Sequence, residues 1–437
     1  MEKTTVRGVL KLLDENKEEI MKSLKQDLHK VQKPLVNLMD KALIQKQPYG
    51  VVLIIGTWNF PIMLTLMPMF GALAAGNCVL LKTSRISWST SKLLEHIVPK
   101  YLDNDCVKVV NGGTGETTDL LKERYDYIFY TGNTSIGKMV MTAASQYLTP
   151  VTLELGGKIY VDKNCDLRAV ANRILWGKTI NAGQTCIAPD YVMCTKDIQE
   201  KLIEAMKITI NDFYQDDPSS SDSYGRLGNE RHFQRVKQII DSSKDNIAIG
   251  GITNEKDNYV SPTVLKDVKF TDPAMLEEMF GPVLPIIPVN NEDEAIKHIV
   301  NGEKPLAMYI FSNDKKVKDK FRNSTSSGGL VINDTMLHAG VMTLPFGGVG
   351  NSGVGAYHGK LTFDTFCHNR ACLERELILE GLQSIRYPPY TQKKIQIIQR
   401  VTQKKLNHSP FKSPFSVLVI GMIVAAFLLQ MFALYIE

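Results

Sequence analysis

The sequence predicts an α/β protein, with a doubly wound parallel sheet first, a second α/β domain after it and a C-terminal transmembrane helix. Three observations lead there. Apolar runs of strand length alternate with helix-length amphipathic segments through the first third of the chain. A turn bounded by two glycines, Gly132-Asn-Thr-Ser-Ile-Gly137, joins one such run to a helix. The 22 residues from Phe415 to Ile436 carry no charge.

Taken in order, residues 1–30 have helical spacing (Val6, Val9, Leu10, Leu13, Ile20, Leu24) with charges between, the pattern of an amphipathic surface helix or pair. Val31 to Pro48, with prolines at both 34 and 48, reads as short and irregular. Tyr49 to Ile55 is an unbroken apolar run and so a buried strand, ending at Gly56-Thr-Trp-Asn59-Phe-Pro61. A helix to Ala75, a strand at Cys78–Leu81 and a helix from Ser89 to Tyr101 follow. Strands at Val107–Val110 and Tyr127–Tyr130 complete the alternation, the second leading into the glycine turn. Further on, the pattern predicts helices at 197–213 and 230–243, a strand at Val283–Val289, a helix from Asp293, and a strand ending at Asn333-Asp334.

Length and composition bound the function. A chain of 437 residues, 44% hydrophobic and 22% charged, is globular and long enough for two or three domains. Its seven cysteines include no C-x-x-C, and Met1-Glu-Lys-Thr-Thr opens no secretory signal, so free thiols in a reducing compartment are expected. The net charge of +5 is local: Arg386 to Lys412 holds seven Lys or Arg and no acid, and the rest is neutral. Nucleic acid is therefore not an expected partner. As a helix, Phe415–Ile436 would be about 33 Å long, enough to cross a hydrocarbon layer of roughly 30 Å. The basic stretch before it belongs on the cytosolic side, against anionic lipid.

The chemistry centres on Asn181-Ala-Gly-Gln-Thr-Cys186-Ile-Ala-Pro189, with Val151-Thr-Leu-Glu154-Leu-Gly-Gly-Lys158 before it. Cys186 in a loop of small residues is a candidate nucleophile. Glu154, flanked by leucines, is a candidate general base whose apolar setting would raise its pKa. Taken alone, each has an ordinary reading, a small buried thiol and an ion-paired strand-end carboxylate. The glycine turn is a weak dinucleotide signal, since a tight turn explains it equally well. No cluster with metal-ligand spacing appears.

Six stretches in order are more specific. Ile55-Gly-Thr-Trp-Asn-Phe-Pro61, Tyr130-Thr-Gly-Asn-Thr-Ser-Ile-Gly137, Leu153-Glu-Leu-Gly-Gly-Lys158, Gly183-Gln-Thr-Cys-Ile-Ala-Pro189, Glu277-Glu-Met-Phe-Gly-Pro282 and Pro345-Phe-Gly-Gly-Val-Gly350 resemble the aldehyde dehydrogenase superfamily. The likeness, from about Leu43 to Pro389, is to its class 3 branch, above all the membrane-anchored fatty aldehyde dehydrogenases.

The resemblance implies an aldehyde dehydrogenase-like fold with a Rossmann-type NAD(P)-binding domain over 1–153, shortened at its N-terminus, and a catalytic domain over 154–345. A bridging or oligomerisation segment over 346–400, a basic linker over 401–414 and the anchor over 415–436 follow. It implies that Cys186 attacks the aldehyde carbon, that the Asn59 amide and the Cys186 N–H hold the oxyanion of the thiohemiacetal, and that Glu154 activates the water that hydrolyses the thioester. NAD is implied as cofactor, with Gly132, Asn133, Thr134, Ser135, Ile136 and Gly137 near the pyrophosphate, Lys82 at the adenosine ribose, and Glu278 with Phe280 at the nicotinamide ribose. Trp58 and Phe346 are expected to pack as walls, and His338, His358 and His368 to shape the substrate mouth. A homodimer and an endoplasmic reticulum location are implied, with mitochondrial and peroxisomal membranes as alternatives.

Two departures carry consequences. After Lys158 the relatives' Ser-Pro or Asn-Pro is missing and Ile159-Tyr160 follows directly, which is expected to disturb Glu154 and weaken deacylation. The usual Lys-Pro-Ser-Glu reads Lys82-Thr-Ser-Arg85, and an arginine there suits a 2′-phosphate, so tolerance of NADP is expected, the alternative being a merely exposed arginine. The expected activity is oxidation of medium- to long-chain aldehydes. The competing expectations are a catalytically impaired anchored variant acting as a dimerisation or interaction partner, and an acyl transferase that uses Cys186 without hydride transfer.

Overall fold

The computed structural model describes residues 41–154 and 157–375, and beyond these 377, 380–384, 387–394 and 396–397. The expected helix over 1–30, the basic linker and the anchor over 415–436 lie outside the described residues. Among the described residues no helix is long and apolar enough to cross a membrane. The chain forms two compact units, Ile44–Arg370 and Met1–Leu43 with Ala371–Glu437. The described part of the second holds the end of strand Cys367–Glu374 and a short helix, Glu380–Gln383. The candidate site lies wholly in the first.

Ile44–Arg370 is built on two sheets. In the first, strands Val51–Ile55, Cys78–Lys82, Val107–Val110, Tyr127–Thr131 and Val151–Glu154 are all parallel. Their spatial order places Val51–Ile55 between Cys78–Lys82 and Tyr127–Thr131, with Val151–Glu154 beyond the latter and Val107–Val110 at the far edge. Strand order therefore reverses between Val51–Ile55 and Tyr127–Thr131, the point where open α/β sheets bind ligands at their carboxyl edge. A late strand, Gly353–Val354, returns to pair antiparallel with Val151–Glu154. The sheet is covered on both faces, so Tyr127–Thr131 is buried at every position and reads as one apolar run.

Three residues beyond Glu154 the second sheet begins at Gly157–Val161. It has seven strands, in the order Gly329–Ile332, Ala307–Phe311, Gly157–Val161, Val192–Cys194, Val283–Pro288, Thr263–Leu265 and Ile247–Ile249, with only the last antiparallel. Ile159 pairs with both Tyr309 and Val192, so the shortened junction after Lys158 feeds straight into a central strand. One apolar core runs across both sheets, from Val52, Ile54 and Phe129 to Ile159, Ile174 and Tyr309.

One expectation fails. Lys41–Pro48, within the stretch read as irregular, is a strand paired with Cys367–Glu374 in a two-stranded sheet. Its residues are largely exposed, so partner strand rather than apolar pattern decides it. Among the described residues the other predicted elements are present with shifts of a residue or two, such as helix Lys196–Tyr214 and strand Val283–Pro288.

Candidate active site

The nucleophile loop is shaped by what precedes it. Helix Leu167–Thr179 starts under an Asp166 cap that accepts from the Arg168 and Ala169 amides, and it ends at Thr179. The chain then turns with three successive left-handed residues, Asn181 (φ 48°), Ala182 (φ 50°) and Gly183 (φ 73°). For an L residue such as Ala182 this costs on the order of 1–2 kcal/mol. Such strain persists only where surrounding bonds over-determine it.

Gln184 supplies those bonds. Buried at 1% exposure, its side chain donates to the carbonyls of Asn181 and Arg226, both at 2.9 Å, and accepts from the Gly228 amide at 2.8 Å. Its backbone carbonyl accepts from the Asn59 side-chain amide at 2.9 Å, while the Asn181 amide donates to the Asn59 carbonyl at 2.8 Å. The loop leaving the switch point of the first sheet is thereby stitched to the cysteine loop. Thr57 Oγ1 donates to Asn59 Oδ1 at 3.0 Å, so Asn59 presents its nitrogen to the loop. Cys186 is half-buried two residues on, packed against the core, and no cysteine among the described residues forms a disulfide.

Glu278 and Phe280 reach the same place from the other sheet. A Cβ on Gly183 would stand 2.3 Å from the Gly281 carbonyl oxygen, so the two loops are in backbone contact. Phe280 has a left-handed backbone (φ 44°), and its carbonyl accepts from His232 Nε2 at 2.7 Å. Burial lowers His232 to about 4, so the ring is neutral near pH 7 and donates through Nε2. Trp58 lies edge-on to Phe280 and His232, with ring centroids 5.7 and 6.1 Å away. Its role is packing, as expected. Phe346 likewise stacks between His338 and His358, at 5.7 and 4.9 Å.

Beneath this cluster are four charges. Lys178 is 2% exposed, and burial lowers it to about 8 against the pull of Asp190 and Glu278. Asp190 accepts from the Met279 amide at 2.8 Å, and Arg235 donates to the Glu278 carbonyl at 3.2 Å, so both hold the one peptide that links Glu278 to Met279. Burial first, then Asp190, pushes the Glu278 carboxyl upward. Its side chain is itself exposed, and water there screens the push.

The remaining predicted residues sit along the carboxyl edge of the first sheet, where register aligns Ile55 with Tyr130 and Lys82, Lys82 with Val110, and Thr131 with Glu154. Glu154 is thus the last paired residue of its strand, next to Thr131 and Gly132. Asn133 caps helix Thr134–Ser145 by accepting from the Ile136 amide at 2.9 Å, leaving the Thr134 and Ser135 amides without intrahelical acceptors. Ser135 Oγ also donates to Asn133 Oδ1. Gly132 lies against Tyr130, where a Cβ would be 2.1 Å from the phenol oxygen, and Gly137 packs against the same ring.

Lys82 is buried and donates to the carbonyls of Thr83 at 2.6 Å and Gly112 at 2.9 Å; burial lowers its pKa and Glu116 partly restores it. Arg85 is exposed beside Gly113, at whose Cβ position its Nη1 would be 3.3 Å away. Two buried polar atoms at this edge, Asn111 Nδ2 and Thr131 Oγ1, have no hydrogen-bond partner among the described residues. Orphaned groups beside a helix N-terminus whose first two amides have no intrahelical acceptor, and a buried lysine with a third donor, fit the dinucleotide that the resemblance implies.

The structure thus brings Cys186, Asn59, Glu278 and Phe280 into one set of contacting loops and gathers Lys82, Arg85 and the glycine turn along the adjoining edge. Sequence reasoning missed Gln184, His232, Lys178 and Glu116. Gln184 lies inside a quoted motif and Glu116 in a Gly113-x-x-Glu116 cap, where its carboxylate accepts from the Gly113 amide at 2.7 Å. His232 and Lys178 carry no local signal.

Comparison with known proteins agrees with this geometry. The profile of the aldehyde dehydrogenase family matches residues 3–372. The chain is 50% identical over 383 residues to aldehyde dehydrogenase family 3 member A2 of Pongo abelii, covering 86% of this chain and 79% of the relative. It is 54% identical over 352 residues to the Mus musculus protein named aldehyde dehydrogenase, dimeric NADP-preferring, covering 80% and 77%. Among solved structures, Staphylococcus aureus AldH in its substrate-bound state superposes with TM-score 0.81 at 36% identity, covering 89% of this chain and 92% of that one. The chain belongs to the aldehyde dehydrogenase family, in its class 3 branch, and is an NAD(P)-dependent aldehyde dehydrogenase.

Proposed function

We propose that this enzyme is tethered to a membrane and oxidises medium- to long-chain aliphatic aldehydes to fatty acids. The observation that carries the catalytic part is the bond from Asn59 Nδ2 to the Gln184 carbonyl, which holds a neutral amide donor beside the Cys186 loop. Cys186 attacks the aldehyde carbon as thiolate, and the developing oxyanion is met by the second Asn59 amide hydrogen and the Cys186 N–H. NAD(P), when bound, supplies the hydride acceptor. Glu278 would accept from the nicotinamide-side ribose with Phe280 beside it, the Thr134 and Ser135 amides would hold the pyrophosphate, and Lys82 would bind the adenosine ribose. Glu154, at the end of its strand, takes the proton from the water that cleaves the thioester.

The substrate class rests on the sequence between Arg386 and Ile436. A basic segment followed by 22 uncharged residues has the form of a C-terminal anchor with a cytosolic body. Long-chain aldehydes concentrate in bilayers because each buried methylene contributes about 0.8 kcal/mol, so an anchored enzyme meets them there. The endoplasmic reticulum as the membrane and a homodimer as the state are part of the proposal and follow the family resemblance; the name of the mouse relative includes the word dimeric.

The test is one assay of the full chain in detergent, with a long-chain aldehyde and NAD or NADP, following reduced nicotinamide. Turnover is expected, and Cys186→Ala abolishes it. A folded protein giving no signal would leave the impaired-variant reading in its place, and turnover surviving Cys186→Ala would overturn the site assignment.

A further inference from the structure

One loop beside the active site holds apolar side chains in solvent. From Thr335 to Pro345 the chain has a single histidine and no charged residue. Leu337, Val341, Met342 and Leu344 in it are 52%, 43%, 42% and 49% exposed. The loop is not slack. Tight turns close it, with Leu337 N donating to Thr335 O at 2.6 Å, Val341 N to His338 O at 3.2 Å and Leu344 N to Val341 O at 2.9 Å. His338 points the other way, its ring stacked on Phe346 and so close to Gly329 that a Cβ there would meet it at 2.9 Å. The histidine is the anchor, and the backbone turns hold the apolar residues around it at the surface.

The position of the loop gives that exposure a purpose. Thr335 Oγ1 donates to the Arg173 carbonyl at 2.7 Å and fills the space where Gly177 lacks a side chain. Both belong to helix Leu167–Thr179, whose end becomes the strained turn and the Cys186 loop. Trp176 on the same helix is also exposed, as is Arg173. Tryptophan, leucine and valine beside an arginine are the residue types that settle at a membrane–water boundary.

We propose that the Leu337–Leu344 loop is a lipid-contacting surface that enters the headgroup–acyl boundary of a bilayer and takes long-chain aldehyde from it toward Cys186. The inference rests on the tethered fatty aldehyde dehydrogenase reading above. Chain length favours lipid over a second copy as the occupant. The residues between Ile397 and Phe415 span at most roughly 60 Å when fully extended, so an anchored body never leaves the neighbourhood of the bilayer. The seven cations from Arg386 to Lys412 draw it to anionic headgroups, and the loop adds no carboxylate to oppose that. A rigid apolar loop held against such a surface loses its exposed area to lipid.

The experiment places a reporter on the loop of the full chain. V341W is made in a W176F background and reconstituted in phosphatidylcholine–phosphatidylserine vesicles with or without brominated acyl chains, the W176F chain serving as reference. The added emission is expected at shorter wavelength and quenched about twofold or more by bromine, as for an interfacial tryptophan. Protein that sediments with the vesicles but shows no added quenching overturns the loop contact and leaves the tether standing; protein that does not sediment overturns both. A blue shift that depends on protein density and ignores bromine assigns the loop to a second copy, and overturns the proposal. An L337S/M342S double variant provides the functional arm. It keeps kcat with a short, water-soluble aldehyde and loses about fivefold or more in kcat/KM with a bilayer-dissolved long-chain one. Equal losses on both substrates overturn the delivery role.

Discussion

Asn59 and Gln184, 125 positions apart in the chain, meet through one hydrogen bond of 2.9 Å from a side-chain amide to a backbone carbonyl. Asn181 returns a bond to the Asn59 carbonyl, so the contact is reciprocal. It joins the switch point of the cofactor-side sheet to the cysteine loop. In the proposed mechanism the same side chain is also the donor to the reacting oxygen, and substitutions test that role against the stitch.

Asn59→Ala removes both. The expected loss in kcat is about 100- to 1,000-fold, the cost of deleting one oxyanion donor, with a smaller effect on aldehyde KM. Asn59→Asp keeps the size of the side chain and sets a carboxylate against the Gln184 carbonyl, so it should be at least as damaging and also lower the melting temperature. If kcat in Asn59→Ala falls less than about tenfold, Asn59 is a stitch and not an oxyanion donor.

Gly183→Ala tests the strained turn. The added Cβ meets the Gly281 carbonyl at 2.3 Å from a backbone at φ 73°, and neither partner is a flexible side chain that can swing away. Overpacking of this kind costs about 1–3 kcal/mol. Because the displaced partner is the loop carrying Glu278 and Phe280, cofactor KM should rise together with the loss of stability. Denaturant melts and NAD titrations on the same preparation check this; a stable variant with unchanged KM would show that the two loops are not coupled.

How much of this was legible follows from where the information lies. Tyr127–Thr131 declares itself because a strand buried on both faces must be apolar throughout. Lys41–Pro48 does not, because an exposed two-stranded pair is decided by Cys367–Glu374, more than 300 residues away. Cys186 and Asn59 were visible as residue types in recognisable stretches, but neither stretch contains the bond between them. His232 was invisible for the same reason, since its partner is the carbonyl of Phe280, 48 positions on.

His232 gives a prediction in pH. Its pKa falls from an ordinary 6.5 to about 4 in the folded protein, so between these values the unfolded chain binds the extra proton and the folded one does not. The contribution is fully present above pH 6.5 and is lost as pH falls toward 4. His338, also lowered to about 4, acts in the same direction. Thermal midpoints of the wild type should fall across that window, and those of His232→Gln, which keeps a donor for the Phe280 carbonyl, should fall less steeply. Parallel curves would mean that His232 does not titrate there.

Arg85 offers the sharpest test of cofactor choice. The carboxylate that the resemblance leads one to expect at this position would accept from ribose hydroxyls and repel a 2′-phosphate; a guanidinium does the reverse. Glu116 complicates the exchange. Its carboxylate, bonded to the Gly113 amide at 2.7 Å, lies within electrostatic reach of both Arg85 and Lys82, and those bonds and cations hold its pKa down. Glu116 therefore keeps a carboxylate near Arg85 and Lys82, and it would oppose a 2′-phosphate that Arg85 would attract. Turnover with NADP as well as NAD is expected. Arg85→Glu should lower the NADP-to-NAD ratio of kcat/KM by about tenfold or more, the worth of one charged hydrogen bond, while Glu116→Gln should raise it. Opposite signs in the two variants would place both side chains at the 2′ position. Strict NAD preference that Arg85→Glu leaves unchanged would make Arg85 an exposed arginine with no part in cofactor recognition.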